Sequence, residues 1–229
     1  MLPTVTLYLA ALTAAEPPPT PPAAVRDGGL AATVRVTDPG GGGVGTGVVV
    51  GVRDGSVYIL TAAHVLGADA RPRVETFRPP AARKPDSVHD RCDLLFRATD
   101  SDVAVIRLPA GKREWATAPL APPPPAGKVP DAGWSIGCDG GLAPTVDAVA
   151  LTGRKLVRRK DGSAAFFWQA RGEAAAGRSG GPLLDADGRL IGVCSGTQER
   201  MTYYAHPDEI RAALRAHRLG WAAGDAADK

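Results

Sequence analysis

Short runs of β-branched and apolar residues, broken every few positions by glycine, proline or Asp-Gly, fill most of the chain and predict strands nearly throughout. Leu30 to Thr37, Val44 to Val52 and Val57 to Thr61 form the first three, and Asp54-Gly55 between the last two signals a hairpin. Val74 to Phe77 and Val103 to Leu108 follow, within and after an irregular stretch rich in proline and charge. Ala132 to Gly137, Val146 to Leu156, Ala164 to Gln169, Pro182 to Leu184, Arg189 to Ser195 and Thr202 to Ala205 complete the set. Only the tail reads as a helix. Pro207 and Asp208-Glu209 suit a first turn, and Ile210, Leu214 and His217 recur at helical spacing.

Strands at short intervals with no helices between them exclude a parallel α/β fold and predict an all-β one. Pro119 to Pro130, with four consecutive prolines at 122 to 125, marks a crossing between two halves, 25–120 and 121–229. Before them, residues 1–24 divide into an apolar segment, MLPTVTLYLAALTAA, and a proline-rich linker, EPPPTPPAA. The apolar segment ends in small residues and lacks a basic start; the expectation is a signal peptide and export to a periplasmic or extracellular space, with a cytoplasmic protein as the alternative.

The 229 residues, 44% of them hydrophobic, supply one large all-β domain or two small ones. A formal charge of +3 with scattered basic residues does not describe a nucleic-acid binder, and the tightest basic group, Arg154 to Lys160, reads as a solvated hairpin. No apolar run is long enough for a membrane-spanning helix. Three cysteines allow at most one disulfide; buried free thiols are the plainer reading, with Cys138 and Cys194 as the pair if one forms. Gly40, Gly42 and Gly45 fit a dinucleotide-loop pattern, but a hairpin rather than a helix follows. His89 and Cys92 have no second ligand pair, so neither a metal nor a cofactor is expected. Trp134 and Trp168 read as core or interface residues.

The segment richest in chemistry is Gly177-Arg178-Ser179-Gly180-Gly181-Pro182. A serine between glycines can sit on a tight bend, its hydroxyl exposed, while successive backbone N–H groups converge on one point. Such a hydroxyl needs a base. Of four histidines, His64 ends a β-branched run after Thr61-Ala62-Ala63; His89 lies in the irregular stretch, His217 on the tail helix, and His206 before that helix, where a surface or capping role is expected. The base needs a carboxylate to fix its tautomer. Asp102 opens the apolar run Val-Ala-Val-Ile, with Asp100 and Asp93 as competitors.

Together, Gly45-Thr46-Gly47-Val48-Val49, Ile59-Leu60-Thr61-Ala62-Ala63-His64, Ser101-Asp102-Val103-Ala104-Val105 and Gly177-Arg178-Ser179-Gly180-Gly181-Pro182 resemble the successive signatures of trypsin-like serine peptidases. The order His, Asp, Ser is the family's, and the likeness is closest to its bacterial, protease-Do-like branch, here without a C-terminal peptide-binding domain. The resemblance implies two six-stranded antiparallel β-barrels of the chymotrypsin type with a C-terminal helix. It also implies a serine endopeptidase acting on polypeptides: His64 as base, Asp102 as its orienting carboxylate, Ser179 as nucleophile, and the N–H groups of Gly177 and Ser179 as the oxyanion hole.

Arg178 departs from the family, whose secreted animal members carry an aspartate before the nucleophile; zymogen activation through that aspartate is not expected. As a longer, charged side chain it would either displace the loop or point into solvent. The substrate pocket is expected between Glu173 to Ala176 and Ser195, Gly196 and Thr197, with Glu173 facing water and a small or moderately apolar first subsite. The rival function is a catalytically silent domain of the same fold used for binding or scaffolding.

Overall fold

The computed structural model describes residues 20–40, 42–67, 70–78, 83–125, 127–158 and 162–225. The apolar segment 1–15, read above as an export signal, lies outside them, as does the start of the proline-rich linker. No helix among the described residues is long and apolar enough to cross a membrane.

The fold is all-β. Strands β1 (Thr33–Thr37), β2 (Val44–Arg53), β3 (Ser56–Thr61), β4 (Arg73–Thr76), β5 (Ser87–His89), β6 (Asp93–Ala98) and β7 (Val103–Pro109) form one antiparallel sheet in the order β5-β4-β1-β2-β3-β7-β6. Strands β8 (Ala132–Gly137), β9 (Thr145–Arg158), β10 (Ala164–Arg171), β11 (Pro182–Leu184), β12 (Leu190–Gln198) and β13 (Met201–Ala205) close into a six-stranded barrel. The tail forms the expected helix, here α2 (Pro207–Ala216). This is the chymotrypsin-type architecture, with seven strands rather than six in the first sheet because the short β5 adds to β4.

The β-branched runs lack strict alternation because both faces of these strands are buried. Val49 on β2 and Ala104 and Ile106 on β7 point into the first sheet's own core with Val36 and Ile59. Their neighbours Val48, Val50, Val103 and Val105 turn the other way and share a core with Ile136, Leu184, Leu190 and Val193 from the barrel. Between the sheets the chain crosses at Ala118, whose N–H bonds Val49 O, and Ala121, whose N–H bonds Leu190 O, each at 2.9 Å.

Residues 23–32 correct the sequence reading. Expected as linker end and strand start, they form helix α1 (Ala23–Ala32), and the first strand begins only at Thr33. Gly28 and Gly29, poor helix formers, obscure a buried face of Val25, Gly29 and Ala32 at helical spacing. The helix backbone lies so close to the barrel that a Cβ on Gly29 would fall 2.3 Å from Ile136 Cδ1. The tail returns to the first sheet: His217 stacks on Phe96 at 4.0 Å between ring centroids, and Trp221 meets Tyr58 edge-on at 4.9 Å.

Candidate active site

β3 and β7 run antiparallel with Thr61 opposite Ala104, so the end of one strand meets the entrance of the other. His64 occupies a single 3-10 turn after β3, and Asp102 is the last residue before β7. The carboxylate is buried and clamped: Oδ1 accepts the His64 backbone N–H at 3.0 Å, while Oδ2 lies 2.8 Å from His64 Nδ1. Asp102 takes φ 55°, a left-handed conformation that aspartate tolerates better than most residues. Its competitor Asp93 pairs instead with Arg107, at 2.7 Å.

A third donor reaches the same carboxylate. Ser195 Oγ lies 2.5 Å from Asp102 Oδ2, so this residue, expected as a wall of the substrate pocket, is half-buried with its hydroxyl turned onto the carboxylate. A lone serine at a strand end carries no sequence signal for that contact.

Ser179 sits on the turn before β11, half-buried, and the first sheet holds its backbone. Its carbonyl accepts the Thr46 N–H at 2.7 Å, and Gly45 next door lies between Ser179 O and the Val65 side chain, so closely that a Cβ there would be under 3 Å from both. Gly180 is irreplaceable on two counts: its φ is +86°, and a Cβ would fall 2.0 Å from Thr46 O. Thr46 also binds through its side chain, donating to Gly177 O at 2.7 Å and accepting the Cys138 N–H at 2.9 Å. Sequence reading quoted Thr46 within a motif without giving it this role.

Two carbonyls fix the backbone around the nucleophile. Ala176 O accepts Gly140 N–H at 2.7 Å and Arg178 O accepts Gly181 N–H at 2.9 Å. In a trans peptide the N–H points opposite to the C=O, so these bonds turn the Gly177 N–H away from Gly140 and the Ser179 N–H away from Gly181. Neither N–H donates to a protein acceptor among the described residues. Two free, oriented donors flanking one serine suit an oxyanion.

Arg178 neither displaces this loop nor reaches solvent, contrary to both expectations. Its side chain is 3% exposed and runs beneath the turn, where Nε and Nη2 form a bidentate pair with Asp139 at 2.9 and 2.7 Å. Nη2 also meets Asp147 Oδ2 at 2.6 Å and Thr145 Oγ1 at 3.0 Å, and Nη1 donates to Ser135 O at 2.9 Å. Burial lowers the guanidinium pKa, but the Asp139 hydrogen bonds and the charges of Asp139 and Asp147 outweigh it, and the value ends above the ordinary one. A buried cation needs such compensation, and here a pocket of oxygen atoms supplies it.

The segments expected to wall the pocket do come together. Ala174 N–H donates to Thr197 Oγ1 at 3.0 Å and to Thr202 Oγ1 at 2.9 Å, and Thr202 donates to Gly172 O at 2.8 Å. Glu173 is exposed and borders a surface hollow with Gly172 and Arg200. On the other side of β12, Ser195, Gly196, Thr197, Phe167, Tyr203 and Lys155 are among the residues lining an open cleft of about 410 Å³.

The remaining histidines have other uses. His206 is buried at the start of α2, where Nδ1 accepts Asp208 N–H at 3.2 Å; it caps as expected but does not reach the surface, and burial lowers its pKa to about 4. Cys92, Cys138 and Cys194 are free thiols, each pushed up to about 12 by burial.

Known proteins resemble this chain in sequence and in fold. The family model described as trypsin-like peptidase domain matches residues 45–193. Among solved structures, the active form of the Rv3671c protease from M. tuberculosis is similar at 18% identity and TM-score 0.64, over 92% of this chain and 93% of that one. An inactive form of Rv3671c protease aligns at 19% identity and TM-score 0.63, covering 87% and 98%. A serine endoprotease from Yersinia pestis aligns at 21% identity and TM-score 0.59, over 88% of this chain and 65% of that one. No curated protein matches the sequence.

Proposed function

Since the chain belongs to the trypsin-like peptidase domain family and is a serine endopeptidase, we propose that it hydrolyses peptide bonds through Ser179, His64 and Asp102 by way of an acyl-enzyme. Ser179 Oγ attacks the carbonyl carbon while His64 Nε2 takes its proton. Asp102, 2.8 Å from Nδ1, holds the ring in the required tautomer and stabilises the imidazolium. The negative oxygen of the tetrahedral intermediate meets the N–H groups of Gly177 and Ser179. Collapse expels the amine, which takes the proton from His64, and a water activated by the same imidazole then releases the acid product.

The observation that carries this reading is the joint geometry of the Asp102 clamp on His64 and the two oriented N–H groups beside Ser179. A polypeptide would bind as an extended strand along Ser195 to Gln198, with its upstream side chains in the 410 Å³ cleft. There Phe167 and Tyr203 offer apolar surface, and Lys155 and Arg158 favour acidic groups. The first subsite is short, because Thr197 and Thr202 close against Ala174 across the space a long side chain would enter. Digestion of an unfolded polypeptide by the wild type and by Ser179→Ala tests the assignment. Cleavage should fall at least about 10³-fold in the variant; equal rates would rule out Ser179 as the nucleophile.

A further inference from the structure

The ion cluster beneath the nucleophile loop is more elaborate than the fold requires. Arg178 stands between Gly177 and Ser179: its Cα adjoins the peptide unit that carries the Ser179 N–H, its own N–H donates to Ala175 O at 3.1 Å, and the unit that carries the Gly177 N–H lies one residue earlier. Its side chain spends five hydrogen bonds on Asp139, Ser135 and Thr145 and adds an ion pair to Asp147. The pocket is shaped for this one side chain. At Gly137 on β8, a Cβ would fall 2.5 Å from Arg178 Cγ and 3.0 Å from its Cα, so only glycine lets the arginine stem lie against the strand. Tyr204, itself buried, donates to Ser135 Oγ at 2.9 Å and steadies the far wall.

Asp139 links this pocket to the oxyanion donors. It belongs to the same 3-10 turn (Asp139–Gly141) as Gly140, whose N–H holds Ala176 O at 2.7 Å and thereby orients the Gly177 N–H. The turn therefore grips the loop twice, by the Asp139 carboxylate on Arg178 and by the Gly140 amide on Ala176. A bidentate guanidinium–carboxylate pair fixes direction as well as distance.

We propose that the Arg178–Asp139 pair, supported by Asp147, is an internal latch that holds the Gly177 and Ser179 N–H groups in place before substrate arrives. Arg178 and Asp139 are positioning residues; they touch neither substrate nor reacting atoms. The inference rests on the oxyanion role of those two N–H groups given above. It assigns to a pair within the folded chain the ordering of this loop, with no cleaved N-terminus involved.

The test compares wild type with Asp139→Asn and Asp147→Asn in steady-state peptide hydrolysis and in the rate of Ser179 modification by a fluorophosphonate, with melting temperature recorded for each. Asp147 is 60% exposed, so its variant folds even if Asp139→Asn does not. The expected result is a fall in kcat and in fluorophosphonate rate of on the order of tenfold to a hundredfold for Asp139→Asn, by analogy with a weakened oxyanion donor. Asp147→Asn should lose about threefold, and KM should stay near the wild-type value in both. Asp139→Glu should recover part of the loss. Unchanged kcat in a folded Asp139→Asn or in Asp147→Asn, or a rise in KM alone, would overturn the latch while leaving the triad standing. A wild type that reacts with neither reagent would overturn both.

Discussion

Ser195 Oγ and Asp102 Oδ2 lie 2.5 Å apart, although 93 positions separate them in the chain and they belong to different sheets. The contact ties the carboxylate that orients His64 to the strand on which a substrate would lie. Ser195→Ala removes one of three donors to a buried carboxylate. Losing part of one such hydrogen bond costs about 1 kcal/mol, so kcat/KM should fall about fivefold with KM little changed. Steady-state kinetics check this; an unchanged kcat with a large rise in KM would show that Ser195 serves substrate contact alone.

The first subsite is predicted to discriminate by length. Thr197 and Thr202 hydroxyls occupy the gap in front of Ala174. Thr197→Gly with Thr202→Gly should open it, shifting cleavage from after alanine or valine to after leucine or phenylalanine by on the order of tenfold in relative kcat/KM, the worth of a methylene or two of new apolar burial. Peptide-library profiling of both proteins reads the change, and identical profiles would place the first subsite elsewhere.

Asp38 should make the fold acid-sensitive near the site. It is 5% exposed and accepts backbone N–H groups from Gly40, Gly67 and Arg71, at 3.0, 2.7 and 3.3 Å, tying the loop before β2 to the segment after His64. Burial raises its pKa, but these hydrogen bonds prevail and the value lies below that of a free aspartate. A group whose folded pKa is depressed stabilises above its unfolded value, near 3.9, and loses that contribution as pH falls through the folded one. Asp38→Asn should therefore melt several degrees below wild type at pH 7, and the gap should narrow below about pH 4. A gap independent of pH would contradict the charge argument.

Most strands were legible in the sequence because each left a local trace, a β-branched run bounded by turn residues, and the three residues proposed as catalytic stand in short motifs in a fixed order. Ala132–Gly137 and Pro182–Leu184 coincide with their expected limits. The strands β5 and β6 escaped because His89, Asp93 and Arg97 dilute their apolar character. Helix α1 escaped because a close approach to Ile136 demands glycine where helix propensity opposes it. The contacts of Arg178 were illegible for another reason: Asp139 and Asp147 lie 39 and 31 positions away, and nothing local tells a buried guanidinium from a solvated one. Thr46 and Ser195 likewise gained their roles from the other sheet, through pairings that only the tertiary structure creates.

The most direct test of the account is intact-protein mass spectrometry after treatment with a fluorophosphonate, on wild type, Ser179→Ala and His64→Ala. The account predicts one adduct on the wild type, none on Ser179→Ala, and labelling slowed by at least about 10³-fold in His64→Ala. A folded wild type that takes up no adduct would contradict an activated serine and leave the same fold serving as a binding module.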